Sequence, residues 1–303
     1  MSAQPVARAP VRTAPGIAIA WMLATMALFV SLDTLAKFLM QTYPVAQVVW
    51  ARYVFHVLLM AILLAPRSRG LLRTRRLGLQ LVRSVFLLGA TGFFFTAISF
   101  MPLATASAIM FVAPILVTGL SLPLLGEPVG PHRWASVIVG FMGALLIVRP
   151  SAAGMDPAAI FALGAAGSYA LYQITTRKLS GVDPPLTTLA YSAVVGAIAT
   201  SLWVPTAWVT PAPAHWFALA GLGLLGGAGH FTLIKAFENA SAATVAPFSY
   251  SSLIWATLFG YAIFGDLPDR RTVLGALVIM GSGLYILHRE RVRRGRDVNP
   301  PRG

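Results

Sequence analysis

The chain has 303 residues, of which 57% are hydrophobic and only 11% charged, with 23 Lys and Arg against 9 Asp and Glu. A soluble domain carries about 25% charged residues, and one soluble core cannot hide so much apolar surface; composition and a mean hydropathy of +0.76 therefore exclude a secreted module, a disordered tail and a nucleic-acid binder, and leave a membrane protein. With no cysteine there is no disulfide framework, thiolate zinc site or thiol nucleophile.

About 20 apolar residues carry a helix across the hydrocarbon core. Runs bounded by charges, prolines and turn signals predict ten such spans, at 16–40, 45–65, 78–99, 103–124, 132–149, 157–176, 186–206, 215–237, 242–264 and 272–288. The expected organisation is a tail at 1–15, five spans in 16–149, five more in 157–288 and a basic tail at 289–303. The runs are too long and continuous for the alternating strands of a transmembrane barrel. Arg8 and Arg12 before the apolar stretch Ile17 to Leu32 imitate a signal peptide, but no clear cleavage site follows, so the stretch reads as an uncleaved first helix.

An ionisable side chain inside a bilayer costs a few kcal/mol and points to function. In the first span Asp33 and Lys37 stand at i and i+4 and share a face. They read either as a gate or coupling pair facing a cavity, or as a self-neutralising ion pair near the end of the helix. In the second span Arg52 either holds an anionic group, bridges to Asp33 as part of a gate, or snorkels to headgroups; His56 reads as a packed histidine. Pro114 in the fourth span and Pro247 in the ninth interrupt i→i−4 bonding and mark candidate helix breaks. Ser249 and Tyr250 offer hydroxyls just after the second break. The sixth span carries Tyr169, Tyr172 and Gln173, a face suited to stacking and hydrogen-bonding a planar or amphipathic solute. Trp203, Trp208 and Trp216 near the seventh-to-eighth connection fit an interfacial belt. In the eighth span Gly226, Gly227 and Gly229 allow close approach, His230 is a candidate for the solute path, and Lys235 with Glu238 forms an i,i+3 pair.

Ten spans put both tails on one side. That side collects sixteen of the Lys and Arg residues and the other side three, so the positive-inside rule places both termini in the cytoplasm. The excess of positive charge is then a topology signal facing anionic lipid, not a nucleic-acid footprint.

An internal repeat is present. Asp33, Lys37, Leu39 and Pro44 correspond to Gln173, Arg177, Leu179 and Pro184 at an offset of 140, and Ala97, Ala104, Thr105 and Gly126-Glu127 to Ala236, Ala243, Thr244 and Gly265-Asp266 at 139. Five spans per copy is odd, so the second copy is inverted. Inverted repeats suit alternating access around a site at the membrane midplane.

The stretch from Ala97 to Ala108, then Phe111-Val-Ala-Pro114 and Leu125-Gly-Glu-Pro128, closing in Gly140 to Val148, resembles the EamA domain of the drug/metabolite transporter superfamily, as do Lys235 to Pro247 and Phe264-Gly-Asp-Leu-Pro268. Asp33 to Lys37, Tyr43-Pro44 and Trp50 to Tyr53 are similar to bacterial members that take up riboflavin or S-adenosylmethionine; other members export amino acids. The resemblance implies an all-α integral membrane fold of ten helices in two inverted five-helix repeats. It implies a central cavity lined by the first, third, fourth, sixth, eighth and ninth spans, and solute movement without ATP hydrolysis. No P-loop, metal-ligand constellation or catalytic elbow stands out. The expectation is a secondary carrier of small metabolites, with no cofactor or metal, monomeric, in the bacterial inner membrane, with solute and lipid as partners. A proton-coupled drug exporter titrating at Asp33 is the alternative, although Lys37 beside it opposes protonation. A passive pore and a membrane enzyme are more distant readings.

Overall fold

A computed structural model gives the fold and describes residues 15–64, 72–126, 130–149, 155–179, 182–240 and 242–298; Arg8, Arg12, Arg67, Arg69, Glu127, Pro128 and Arg302 lie outside these. Among the described residues all regular structure is helical. The elements are α1 (Pro15–Leu39), α2 (Val45–Leu64), α3 (Leu77–Phe100), α4 (Leu103–Met110), α5 (Val112–Leu125), α6 (Pro131–Val148), α7 (Pro157–Leu179), α8 (Pro185–Trp203), α9 (His215–Asn239), α10 (Ala242–Val245), α11 (Ser251–Phe264) and α12 (Arg270–Val298). They make ten membrane segments, with α4 and α5 forming the fourth and α10 and α11 the ninth. Seven segments are long and apolar enough to span on that basis alone. Of the rest, α6 is shorter, the ninth is broken, and α12 runs ten residues beyond the predicted end through its arginine-rich stretch, where good helix formers continue the ladder.

The distribution of side chains is that of a protein in lipid. Phe217, Leu202, Ile62 and Phe100 are 84%, 79%, 75% and 74% exposed, while Ala36, Ala51, Ala97, Ala106, Ala162 and Ala166 are fully buried. Lipid tails are as apolar as leucine, so large residues gain nothing by facing inward and small ones let helices approach. One close crossing is α6 on α12. A Cβ added at Gly275 would lie 2.6 Å from the Gly143 carbonyl oxygen, and one at Gly143 would lie 2.9 Å from that of Gly275.

Both breaks fall where the prolines point. The Pro114 ring excludes the carbonyl four residues back, that of Met110, where α4 ends. Pro114 itself sits in the first turn of α5, where an amide hydrogen is dispensable. Pro247 lies in a 3₁₀ turn, Ala246–Tyr250, joining α10 to α11.

The helices pair as a duplication demands. The first segment lies along the eighth (α1 on α9) and the third along the sixth (α3 on α7). The second meets the seventh and the fifth meets the tenth. Exchanging the two halves maps this pattern onto itself. The copies also end their helices alike. The amide of Met101 closes α3 on the Ala97 carbonyl and that of Ala240 closes α9 on Ala236. Gly126 and Gly265, 139 positions apart, both take left-handed φ, +68° and +72°, at the ends of α5 and α11. At that same offset Phe111 corresponds to Tyr250, and their rings meet edge to face at 4.9 Å. The pseudo-two-fold axis passes between them, at the two helix breaks.

Candidate functional site

Around this axis lies a cavity of about 260 Å³. Asp33 from α1, Arg52 from α2, Thr91 from α3, Ser107 from α4, Tyr169 and Tyr172 from α7, His230 from α9 and Ser252 from α11 supply its polar lining; Phe29, Phe94 and Phe111 supply apolar wall. Arg52 donates from Nη1 to Thr91 Oγ1 at 2.9 Å, and the Tyr53 hydroxyl meets the same oxygen at 3.1 Å. Arg52 also lies 5.5 Å from the Phe95 ring centre, a cation–π contact. It attracts the Asp33 carboxylate, yet among the described residues Asp33 makes no ion pair within 4 Å. One carboxylate and one guanidinium thus face the same chamber with room between them.

Tyr169 and Tyr172 stack at 5.6 Å with 20° between their planes. His230 touches Phe29 edge to face at 5.2 Å and stacks on His56 at 5.8 Å. His56 is 6% exposed, and its Nε2 has no hydrogen-bond partner among the described residues.

A second cavity of about 400 Å³ shares Tyr172, His230 and Leu233 with the first. It runs past Thr176 and Leu179, at the end of α7, to Asp183 and to Pro185 at the start of α8. It therefore reaches the membrane face on which α1 begins, here the near face. Its wall holds Arg83, which binds Thr176 Oγ1 through Nε at 2.7 Å and the Thr188 carbonyl and Ser192 Oγ through Nη1 at 3.0 and 2.6 Å. Its Nη2 donates to the Tyr172 hydroxyl at 2.7 Å. At the mouth, Asp183 accepts from Thr74 Oγ1 at 2.5 Å and Gln80 Nε2 at 2.8 Å.

On the opposite, far face a cavity of about 490 Å³ between Met101, Ile147, Asp156 and Thr272 shares no lining residue with the central one, and ties join the segments around it. Lys37 donates to Asp266 Oδ2 at 2.9 Å and to the Met101 carbonyl at 3.0 Å. Asp266 is positioned by the helix end before it, where the amides of Gly265 and Asp266 fold back on the carbonyls of Tyr261 and Gly260. The Tyr43 hydroxyl meets His215 Nδ1 at 2.7 Å, Gln47 bonds Val209 in both directions, and Arg149 pairs with Asp269.

Of the sequence candidates, Asp33, Arg52, Tyr169, Tyr172 and His230 converge on the central cavity. Four others lie off it. Lys37 does not pair with Asp33: one turn further along α1 it bonds Asp266 of the other repeat. Gln173 is half-buried and lines neither cavity. Tyr250 is turned into the packing against Phe111, and Ser252, not Ser249, supplies the hydroxyl on the cavity wall. Arg52 does not snorkel to headgroups, because Thr91 holds it in the chamber. Lys235 and Glu238 pair at 2.8 Å as spaced. Arg83 is not among the sequence candidates: it stands alone in its span, and only its equivalence to the apolar Leu222 of the second repeat sets it apart. Among the described residues no three His, Asp or Glu side chains gather as a metal site.

The model of the EamA-like transporter family matches residues 16–149 and 156–287. The chain is 28% identical over 278 residues to the S-adenosylmethionine uptake transporter of Rickettsia bellii (strain RML369-C), covering 91% of this chain and 94% of that one. It is 27% identical over 284 residues to the riboflavin transporter of Vibrio cholerae, covering 92% and 95%. It is 29% identical over 269 residues to the pseudopaline exporter CntI of Pseudomonas aeruginosa, covering 86% and 92%. One solved crystal structure superposes with a TM-score of 0.62 at 20% identity, over 91% of this chain and 98% of that one, and shares the fold.

Proposed function

We propose, from the premise that this chain belongs to the EamA-like transporter family and is a multi-pass membrane transporter of small metabolites, that it is a secondary carrier. It binds solute in the chamber of Asp33, Arg52, Tyr169, Tyr172 and His230 and exposes it to each membrane face in turn. The relatives' names support an organic solute of the size of S-adenosylmethionine or riboflavin.

One observation carries the alternation. The near-face cavity is walled by Arg83, Tyr172, Thr176, Leu179, Asp183 and Thr188. The repeat, at offsets of 140 for α1 and α2 and 139 for α9, puts Leu32, Ala36, Leu39, Tyr43, Val48 and Leu222 at the corresponding places on the far side. Each of these is between 0% and 4% exposed. In the near half Tyr172, Thr176 and Asp183 are half-buried along the cavity, whereas their counterparts Leu32, Ala36 and Tyr43 are packed; Arg83, Leu179 and Thr188 are buried as their counterparts are. Exchanging the two conformations opens the far side and closes the near one, with the axis at Phe111 and Tyr250 as the fixed point. The excess of positive charge on the near side supports a cytoplasmic near face in the bacterial inner membrane, which makes the described conformation open to the cytoplasm.

Proteoliposomes preloaded with unlabelled S-adenosylmethionine or riboflavin, and diluted into the labelled compound, test this. A carrier gives saturable uptake accelerated by the preloaded solute; a pore gives linear uptake without acceleration. His230→Ala, which removes cavity wall, is expected to raise KM about tenfold, a loss of about 1.4 kcal/mol. Asp33→Asn is expected to change affinity or coupling, and Gln173→Ala, off the cavity, to leave KM in place. Unsaturable uptake of every tested solute refutes the carrier reading.

A further inference from the structure

We propose that Arg83 is a docking station for the anionic group of the solute, set in the near-face vestibule apart from the central chamber. The proposal rests on the carrier reading and adds to it the chemistry of the solute.

Arg83 is 4% exposed. Its four hydrogen bonds all go to neutral acceptors: the hydroxyls of Thr176, Ser192 and Tyr172 and the carbonyl of Thr188. Among the described residues, no carboxylate stands within 4 Å of it. Asp183, the acid of the vestibule, is engaged by Thr74, Gln80 and the Arg75 amide. Lys37, Arg149 and Lys235 each meet a carboxylate. A buried charge without a counter-charge is costly. Four neutral dipoles and the Tyr172 ring, whose centre lies 4.4 Å from the guanidinium carbon, fix the orientation of the guanidinium without a counter-charge, and it lines a cavity of about 400 Å³. A guanidinium has five N–H donors, so one, on Nη2, remains.

A purely mechanical clamp is the competing explanation, and the repeat argues against it. Although Ser192, which binds Arg83, itself corresponds to Arg52, the position corresponding to Arg83 in α9 is Leu222, which is fully buried. The scaffold therefore does not require an arginine here. A planar, always-charged fork suits a carboxylate or phosphate. Tyr172 and His230, shared by both cavities, put this station beside the chamber where Arg52 lies opposite Asp33.

The test uses the full-length protein in pure phosphatidylcholine nanodiscs and two radiolabelled pairs that differ in one anionic group. These are S-adenosylmethionine against its decarboxylated form, and riboflavin 5′-phosphate against riboflavin. In at least one pair the anionic member is expected to bind about ten times tighter. Arg83→Gln should abolish that preference while leaving the other member's affinity unchanged. Arg83→Lys keeps the charge without the fork and should retain part of the preference, which preserves the test if Arg83→Gln misfolds. No preference in either pair, or equal weakening of both members, overturns the station. Abolition of the preference by added phosphatidylglycerol would overturn the solute assignment and give the site to a lipid headgroup phosphate. The two readings fail separately: saturable transport without anion preference leaves the carrier and removes the station, and anion-selective binding without transport does the reverse.

Discussion

Cutting the bridge that shuts the far face should open it by a predictable amount. Lys37 has its side chain 13% exposed and Asp266 33%; the ammonium also bonds the Met101 carbonyl and lies 4.9 Å from the Phe264 ring centre. Lys37→Met keeps the apolar stem and removes the charge. An exposed ion pair contributes about 0–1 kcal/mol, and breaking a buried one costs about 3–5 kcal/mol. Asp266 keeps access to water when its partner is lost, so the figure here lies near the lower range, at about 1.5 kcal/mol. The bridge joins α1 to the loop after α11 only while the far face is shut, so its loss falls on that conformation alone. Each 1.4 kcal/mol is tenfold in population, and the far-open fraction should rise about tenfold. The chain has no cysteine, so Leu39→Cys, a position 1% exposed in the far-side packing, reports without background. A membrane-impermeant maleimide applied from the far side should label it about ten times faster in the Lys37→Met background. Asp266→Asn should give a similar rise, and the double variant little more than either. Equal labelling rates, or fully additive effects, would refute the gate.

The α6–α12 crossing gives a second test. Gly275→Ala drives a methyl toward the Gly143 carbonyl oxygen at 2.6 Å, where backbone must move, and should cost about 1–3 kcal/mol. The measurement is the melting temperature in detergent, with Gly119→Ala, where an added Cβ meets nothing within 4 Å, as the variant expected to keep it. At the near-face mouth, the Thr74 hydroxyl, then the Gln80 amide and the Arg75 N–H, hold the Asp183 carboxyl below its ordinary range, against a weaker upward push from desolvation. A depressed carboxyl stabilises the fold above its unfolded value of about 3.9, and the contribution is lost as pH falls through the folded one. The melting-temperature gap between wild type and Asp183→Asn should therefore hold from about pH 8 to about pH 5 and close only in more acidic buffer; closure near neutrality would contradict this origin.

The fold was legible because membrane helices are written in continuous runs, and each run is long enough to leave little doubt of its state. Even the breaks were marked, since a proline within a span removes a bond that lipid cannot replace. What spacing failed to reach was partnership. Asp33 and Lys37 share a helix face, and an i,i+4 pair is the natural expectation. Yet the partner of Lys37 is 229 positions away, and only the packing of α1 against the loop after α11 brings it there. Gln173 misled for a related reason. It inherits the place of Asp33 in the repeat, but Asp33 lines the central cavity and Gln173 lines neither cavity, so equivalent positions do not have equivalent surroundings.

That asymmetry indicates where the mechanism resides. A duplicated scaffold needs the same residue types at paired positions wherever the requirement is structural: the left-handed glycines at 126 and 265, and Ala97 with Ala236 under the helix ends, obey this. Lys37 and Arg177 keep their charge across the repeat, and Glu127 and Asp266 keep theirs, as a closing device used by each half in turn would require. Besides Asp183 at the near-face mouth, which corresponds to Tyr43, three charged positions on the cavity walls break the rule. Asp33 faces Gln173 across the repeat, Arg52 faces Ser192, and Arg83 faces Leu222. Each places an unmatched charge in a buried setting where charge is costly, and each lies on the wall of one of the two connected cavities. A solute is the asymmetric component in an otherwise two-fold arrangement, so residues that recognise it are expected at the departures from symmetry. Subtracting one half of the chain from the other therefore supports the proposed solute contacts at Asp33, Arg52 and Arg83 and the proposed gate at Lys37 and Asp266.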